Sequence, residues 1–208
     1  MSDDDTQKRP SLREVTEWSG GISWIAYPDE RGQRASHALQ TEAGVWLVDP
    51  VDAEGLDERL ADLGEITGVV ILQDRHTRDG SKIARRHDVA VYVPDWMSLV
   101  HDKLELTAET LGSELPETDY TIHQLLNTDE WEEAILVNET TNTLIVPETL
   151  GTLPLFEGTD DGALGLHPEL DEPPQLLSDW NPDRILVGHG KSVHSEADTK
   201  LREALDAA

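Results

Sequence analysis

Residues 68–80 read GVVILQDRHTRDG, and the placement of this stretch decides the fold. A short apolar run ends abruptly in a histidine set among two aspartates and two arginines. Apolar runs of this length, bounded by turn-forming residues, read as buried strands, so the charged residues fall at a strand's carboxyl end. Upstream, AEGLDERLADLG (53–64) sets Leu56, Leu60 and Leu63 at helical spacing and stops at a glycine. Downstream, DGSKIARRHD (79–88) reads as a second helix and VAVYVP (89–94) as another strand. With VWLVDP (45–50) ahead of them they make a strand-helix-strand-helix-strand series, which calls for parallel pairing and right-handed crossovers.

On the N-terminal side, GISWIAY (21–27) and HALQTEAGVWLV (37–48) flank the turn PDERGQ (28–33) and read as antiparallel strands. On the C-terminal side, MSLVHDKLEL (97–106) is expected to be helical and GSELPETD (112–119) a loop. YTIHQLL (120–126), EEAILVNE (132–139) and NTLIVPE (142–148) read as strands, the last two joined as a hairpin through TTN. A Pro- and Gly-bearing stretch over 151–174 is expected to cover one face. RILVGHG (184–190) reads as a strand running into a glycine-flanked histidine, and SEADTKLREAL (195–205) as a closing helix with Ser195 as its N-cap. The residues alone specify α/β with a mixed sheet, organised as a mobile acidic tail over 1–12 and one domain over 13–208.

Charge and composition exclude several functions. Among 208 residues, 43 acids against 16 bases leave a net charge of −27, and only five bases are lysine. Concentrated salt screens such self-repulsion, so the composition fits a cytoplasmic protein of a salt-loving organism. It disfavours nucleic acid, whose binding needs a basic patch. No apolar run is long enough for a membrane span, and the first residues lack a signal-peptide pattern. The absence of cysteine rules out disulfides and thiolate ligands, so a metal would be held by imidazole and oxygen. Neither a G-x-S-x-G elbow nor a phosphate-cradling or dinucleotide-binding glycine loop occurs.

Ligands bind outside the carboxyl ends of strands in α/β sheets. Asp49 follows VWLV, the cluster of Asp74, His76 and Asp79 follows VVIL, Glu148 follows LIV, and His189 follows ILV. Imidazole and carboxylate together suit a divalent cation. His87 closes the expected helix over 79–88, where imidazolium complements the terminal dipole, and His37, His101, His123 and His194 have no partner at meaningful spacing. His167 lies in the long covering stretch, within reach of the site.

In these residues the chain resembles the metallo-β-lactamase superfamily of metallo-hydrolases, from about Val15 to Leu205. Members carry H-x-H-x-D-H after a buried strand. DRHTRD (74–79) puts Asp74 at the first histidine, retains His76 as the second, and has Arg78 in place of the aspartate and Asp79 in place of the last histidine. The family's middle histidine falls near Asp129, Glu148 stands where a metal-bridging aspartate is expected, and His189 of VGHG matches the terminal histidine. Asp49 resembles the aspartate that supports the ligands from behind.

The resemblance implies an αββα sandwich of the metallo-β-lactamase type, with two mixed sheets flanked by helices. It implies a metal set drawn from His76, His189, Asp74, Asp79, Glu148 and Asp129, with Asp74, Asp79 and Arg78 at the chemistry. Carboxylates in place of imidazoles shift preference from zinc toward manganese, iron or magnesium. A fixed charge on Arg78 would repel a second cation, so one divalent ion is expected or none. The implied activity is metal-dependent hydrolysis of a small ester, thioester or phosphoester. Its rival is a metal-free binding or assembly scaffold. Either version is compatible with a homo-oligomer.

Overall fold

Two sheets lie face to face because their strands alternate apolar side chains between two interfaces. The computed structural model describes residues 9–156 and 163–207. The first sheet holds β1 (Thr16–Trp18), β2 (Gly21–Ile25), β3 (Ala35–Thr41), β4 (Gly44–Val48), β5 (Ile66–Val70), β6 (Val91–Pro94) and β7 (Glu109–Leu111), in that spatial order. Pairing is antiparallel from β1 to β4 and parallel from β4 to β7. Helices α1 (Leu56–Ala61) and α2 (Gly80–His87) make the crossovers between its parallel strands. The second sheet is built from β8 (Thr121–Asn127), β9 (Glu132–Asn138) and β10 (Thr143–Val146). A ribbon of β11 (Leu150–Gly151) and β12 (Gly165–Leu166) follows, and then β13 (Arg184–Val187), which pairs parallel with β10 at the edge of the second sheet.

The apolar pattern explains the layering. Along β4, Val45 and Leu47 face Leu56, Leu60, Ile83 and Ala84 of the helices. Trp46 and Val48 point the other way, onto Leu136, Ile145 and Leu186 of the second sheet. The far face of that sheet, with Leu144, Val146, Ile185 and Val187, receives Leu201 and Ala204 of α3 (Ala197–Asp206). The result is helix, sheet, sheet, helix, as period-2 strands with two covered faces require. Among the described residues no helix is long and apolar enough to cross a membrane.

Three local expectations are corrected. Residues 97–106 do not form a helix beyond a 3-10 turn at His101–Lys103. The Glu132 carboxylate accepts the N–H groups of Ser98 and Leu99 at 2.8–2.9 Å and the Ser98 hydroxyl at 2.8 Å, fixing this segment to β9. Residues 109–111, ahead of the expected loop, add a parallel edge strand. Glu196, at φ 53, is the N-cap of α3 rather than Ser195, and no side chain caps that helix. Of the tail expected over 1–12, residues 1–8 lie outside the described residues. Residues 10–12 are tied to the chain before α1, Leu12 N–H donating to Glu54 O and Glu54 N–H to Pro10 O. The covering stretch over 151–174 includes 157–162, also outside the described residues.

Candidate metal centre

The parallel pairs β4–β5 and β10–β13 end at the same edge of the sandwich, and that edge assembles the site. Val48 pairs with Val70 and Val146 with Val187, so the residues that follow each strand emerge side by side. Asp49 and Arg78 adopt left-handed backbone conformations, φ 44 and φ 42. For arginine this conformation is costly and persists only where the surroundings over-determine it. The glycines around His189 are required by space. A Cβ on Gly188 would stand 2.0 Å from Pro147 O, and one on Gly190, at φ +85, would stand 2.4 Å from Thr152 Oγ1. The tight passage stitches this loop to residues 33–35, with Ala35 N–H donating to Gly188 O and Gly190 N–H to Gln33 O.

His76, Glu148 and His189 converge, and among the described residues they are the group that could hold a metal ion. Glu148 Oε2 lies 2.7 Å from His76 Nε2 and 3.0 Å from His189 Nε2, and the two nitrogens are 3.2 Å apart. Hydrogen bonds behind each ring set its tautomer. His189 Nδ1 lies 2.6 Å from Gly32 O, an acceptor only, so that nitrogen carries the proton. His76 Nδ1 faces Asp49 Oδ2 at 3.1 Å and is protonated for the same reason. As neutral imidazoles, both rings therefore turn bare Nε2 lone pairs toward a carboxylate oxygen. Three acceptors at these separations repel unless a proton or a metal cation sits among them.

The donor set fits a metal. Ligands at roughly 2.0–2.1 Å from a tetrahedral zinc stand about 3.3 Å apart, so a slight widening of the observed triangle suffices. Two imidazoles and one carboxylate leave a fourth position open, as catalytic sites do. Side-chain exposures of 6%, 12% and 15% for His76, Glu148 and His189 put the open side at the Glu148–His189 edge.

The second oxygen of Glu148 is held separately. His167 Nδ1 accepts Glu169 N–H at 3.3 Å, so His167 Nε2 carries the proton that faces Glu148 Oε1 at 3.3 Å. The β11–β12 ribbon positions His167, whose N–H donates to Thr149 O at 2.9 Å. Burial alone would raise the Glu148 pKa, but the hydrogen bond from His167, joined by those that His189 and His76 donate when their rings are doubly protonated, holds it below the ordinary carboxylate value. Beneath it, Glu133 Oε1 accepts the N–H groups of Glu148 and Thr149 at 2.8 and 2.9 Å. Glu133 Oε2 accepts Thr149 Oγ1 at 2.7 Å and Trp131 Nε1 at 3.0 Å. Burial pushes the Glu133 pKa up, and the donors from Thr149 and Glu148 oppose it.

Arg78 braces the site from below. Its Nη1 donates to Ala35 O and to Asp49 O, the latter at 2.9 Å, and its Nη2 to Gly188 O at 3.0 Å. Nη2 is nearly equidistant from the two nitrogens of His76, 3.3 and 3.5 Å, so it lies beside the ring rather than in line with either lone pair. Burial lowers the Arg78 pKa to about 10, with Asp49 opposing that fall, and the guanidinium stays charged at neutral pH.

The structure does not bring Asp74, Asp79 or Asp129 to this centre. Asp74, two residues from His76, faces away. It accepts Lys103 Nζ on Oδ2, and Glu132 N–H at 3.0 Å and Gln73 Nε2 on Oδ1. Asp79 is the N-cap residue of α2 and accepts Asp52 N–H at 2.9 Å. Asp129 is exposed on the turn between β8 and β9. Glu133 and the Gly32 carbonyl are functional neighbours that sequence reasoning does not find. Glu133 looks like one acid among many, and a backbone acceptor leaves no residue-type signal.

No family model and no curated protein matches the sequence. Solved structures do resemble it. The DIM-1 metallo-β-lactamase aligns over 96% of this chain and 98% of its own, with a TM-score of 0.67 at 14% identity. A metallo-β-lactamase from Pontibacter korlensis aligns over 95% and 98%, with a TM-score of 0.62 at 13% identity. A protein crystallised in a di-iron-bound form aligns over 79% and 91%, with a TM-score of 0.55 at 15% identity. Identities this low carry the fold alone, and the fold is that of the metallo-β-lactamases.

Proposed function

We propose that this chain of metallo-β-lactamase fold is a hydrolase-like protein holding one divalent metal ion, acting on a small ester, thioester or phosphoester. The observation that carries the reading is the meeting of three atoms able to ligate a metal, His76 Nε2, His189 Nε2 and Glu148 Oε2, within 3.2 Å. A bound divalent ion supplies Lewis acidity toward a carbonyl or phosphoryl oxygen and acidifies water. The chain's own residues do the rest. Asp49 and Gly32 fix the imidazole tautomers, His167 holds the carboxylate, and Arg78 places a positive charge where a second cation would otherwise sit.

A second reading, a metal-free scaffold, is favoured by Arg78 itself. Its bonds to three carbonyls join the strand ends without any ion, and a proton shared among His76, His189 and Glu148 would relieve their repulsion.

Metal analysis separates the two. The protein is purified in high salt without chelator, beside His76→Ala. About one ion per chain, lost in the variant, supports the enzyme reading, and hydrolysis of chromogenic esters, thioesters and phosphoesters by the loaded protein then identifies the bond. No ion in the unsubstituted protein, together with a melting temperature indifferent to chelator, refutes the enzyme reading. We further propose that the protein works in the cytoplasm of a salt-loving cell, which its charge of −27 supports.

A further inference from the structure

Three arginines stand around the centre of a chain with few cations, and their engagement differs. Arg78 is spent on backbone carbonyls. Arg34 is gripped by both oxygens of Glu30, at 2.7 and 2.9 Å. Arg75 has a weaker hold, its nearest carboxylate being Glu169 Oε2 at 4.0 Å, and that side chain is 68% exposed. An exposed pair at that distance is too loose to fix either partner.

What orients Arg75 is an aromatic ring. Its guanidinium carbon lies 4.7 Å from the centroid of Trp131, and a guanidinium over a ring keeps N–H edges free for a planar or tetrahedral oxyanion. Trp131 is nearly buried and is pinned through its Nε1 to Glu133, so the platform is rigid. The same ring meets His167 edge to face at 4.9 Å, and His167 bonds Glu148. Arg75 is thus linked to the triad through two side chains, Trp131 and His167.

We propose that Arg75, laid over Trp131, anchors a carboxylate or phosphate group of the substrate while the bond to be cleaved lies at His76, Glu148 and His189. The inference rests on the proposed function and narrows its substrates to anionic ones. In a protein of charge −27 an anionic substrate needs a local cation to overcome the surrounding field, and Arg75, oriented over a rigid ring, supplies one. Glu169 is the occupant that such a ligand would displace.

The test titrates full-length protein, as purified and after passage over chelating resin, with inorganic phosphate and with acetate at constant ionic strength. Tryptophan fluorescence and heat are followed. Saturable binding of one of the two is expected, at least tenfold weaker in Arg75→Gln and intermediate in Arg75→Lys, which lacks the fork. It should be tighter in Glu169→Gln. The anion preferred tells a carboxylate from a phosphate, while melting temperature and metal content of Arg75→Gln stay unchanged. Absence of saturable binding, or equal binding by Arg75→Gln, overturns the proposal. Stoichiometric metal without oxyanion binding would overturn this inference and leave the proposed function standing. Arg75-dependent binding in a protein that holds no metal would do the reverse.

Discussion

His76 Nδ1 lies 3.1 Å from Asp49 Oδ2, and this contact decides which lone pair the imidazole turns toward Glu148. In Asp49→Asn the amide can present N–H to the ring, and the proton then moves to Nε2, where it blocks a ligand position. The Leu72 N–H bond to Asp49 Oδ1, at 3.0 Å, survives through the amide oxygen, so the fold should persist. Metal affinity is expected to fall about 10–100-fold, read by competition with a chromogenic chelator. Unchanged affinity would mean that Asp49 does not set the tautomer.

Glu133 offers a test of preorganisation. Its carboxylate receives four donors and offers none back. Glu133→Gln points an amide N–H₂ at groups that are themselves donors. Leaving buried donors unpaired costs about 1–3 kcal/mol, so chemical denaturation should show a loss of that order. Metal affinity should weaken as the Glu148 backbone shifts. A variant as stable as the parent would show that these bonds are not made in solution.

Much of this was legible in the residues, for reasons that differ by place. The strands around VWLV, VVIL, LIV and ILV announce themselves because both sheet faces are covered, which leaves uninterrupted apolar runs. Glycines flanking His189 mark a close backbone passage, and GLY-free alternatives would collide with Pro147 and Thr152. Side-chain direction was not legible. Asp74 and His76 share a parity that would put both on one side of an extended strand, yet a turn begins at Gln73, His76 N–H donating to Gln73 O, and sends them apart. The stretch 97–106 has helical spacing, yet it forms only the 3-10 turn at His101–Lys103.

Arg78 should matter more to the metal-free protein than metal does. Its guanidinium ties Ala35, Asp49 and Gly188 together through Nη1 and Nη2, and breaking such a buried charged contact costs on the order of 3–5 kcal/mol. Arg78→Gln, unfolded by urea in the presence of chelator, is expected to lose about that much. Arg78→Lys should lose most of it too, because one ammonium cannot span three carbonyls. A near-parental urea midpoint for either variant would remove the brace from the account.

The net charge of −27 makes a prediction about salt. Self-repulsion falls as the Debye length shrinks from about 10 Å at 0.1 M to about 3 Å at 1 M. The melting temperature should therefore climb over that range in potassium chloride. A flat or falling curve would show that ion pairs such as Arg86 with Asp52 and Asp57 outweigh the repulsion.

Acid stability should report on His37, which is far from any solvent. Burial holds its pKa down to about 3 from an ordinary 6.5, against the opposing pull of the Val187 carbonyl. Its Nε2–H donates to Val187 O at 3.1 Å, and its Nδ1 accepts the Ser23 hydroxyl at 2.8 Å. Below pH 6.5 the unfolded chain takes up a proton that the folded chain refuses, so stability falls with pH from there toward about 3 and levels off beneath it. The slope approaches about 1.4 kcal/mol per pH unit for one proton. Glu148, whose pKa is lowered, contributes its own loss only below the ordinary carboxylate value, while His123 and His194, also lowered by burial, add losses of the same sign as His37. Glutamine at position 37 can still accept from Ser23 and donate to Val187 but cannot titrate. Urea midpoints measured from pH 7.5 to 5 should therefore decline less steeply for His37→Gln than for the parent, and parallel lines would mean that His37 is not the group responsible.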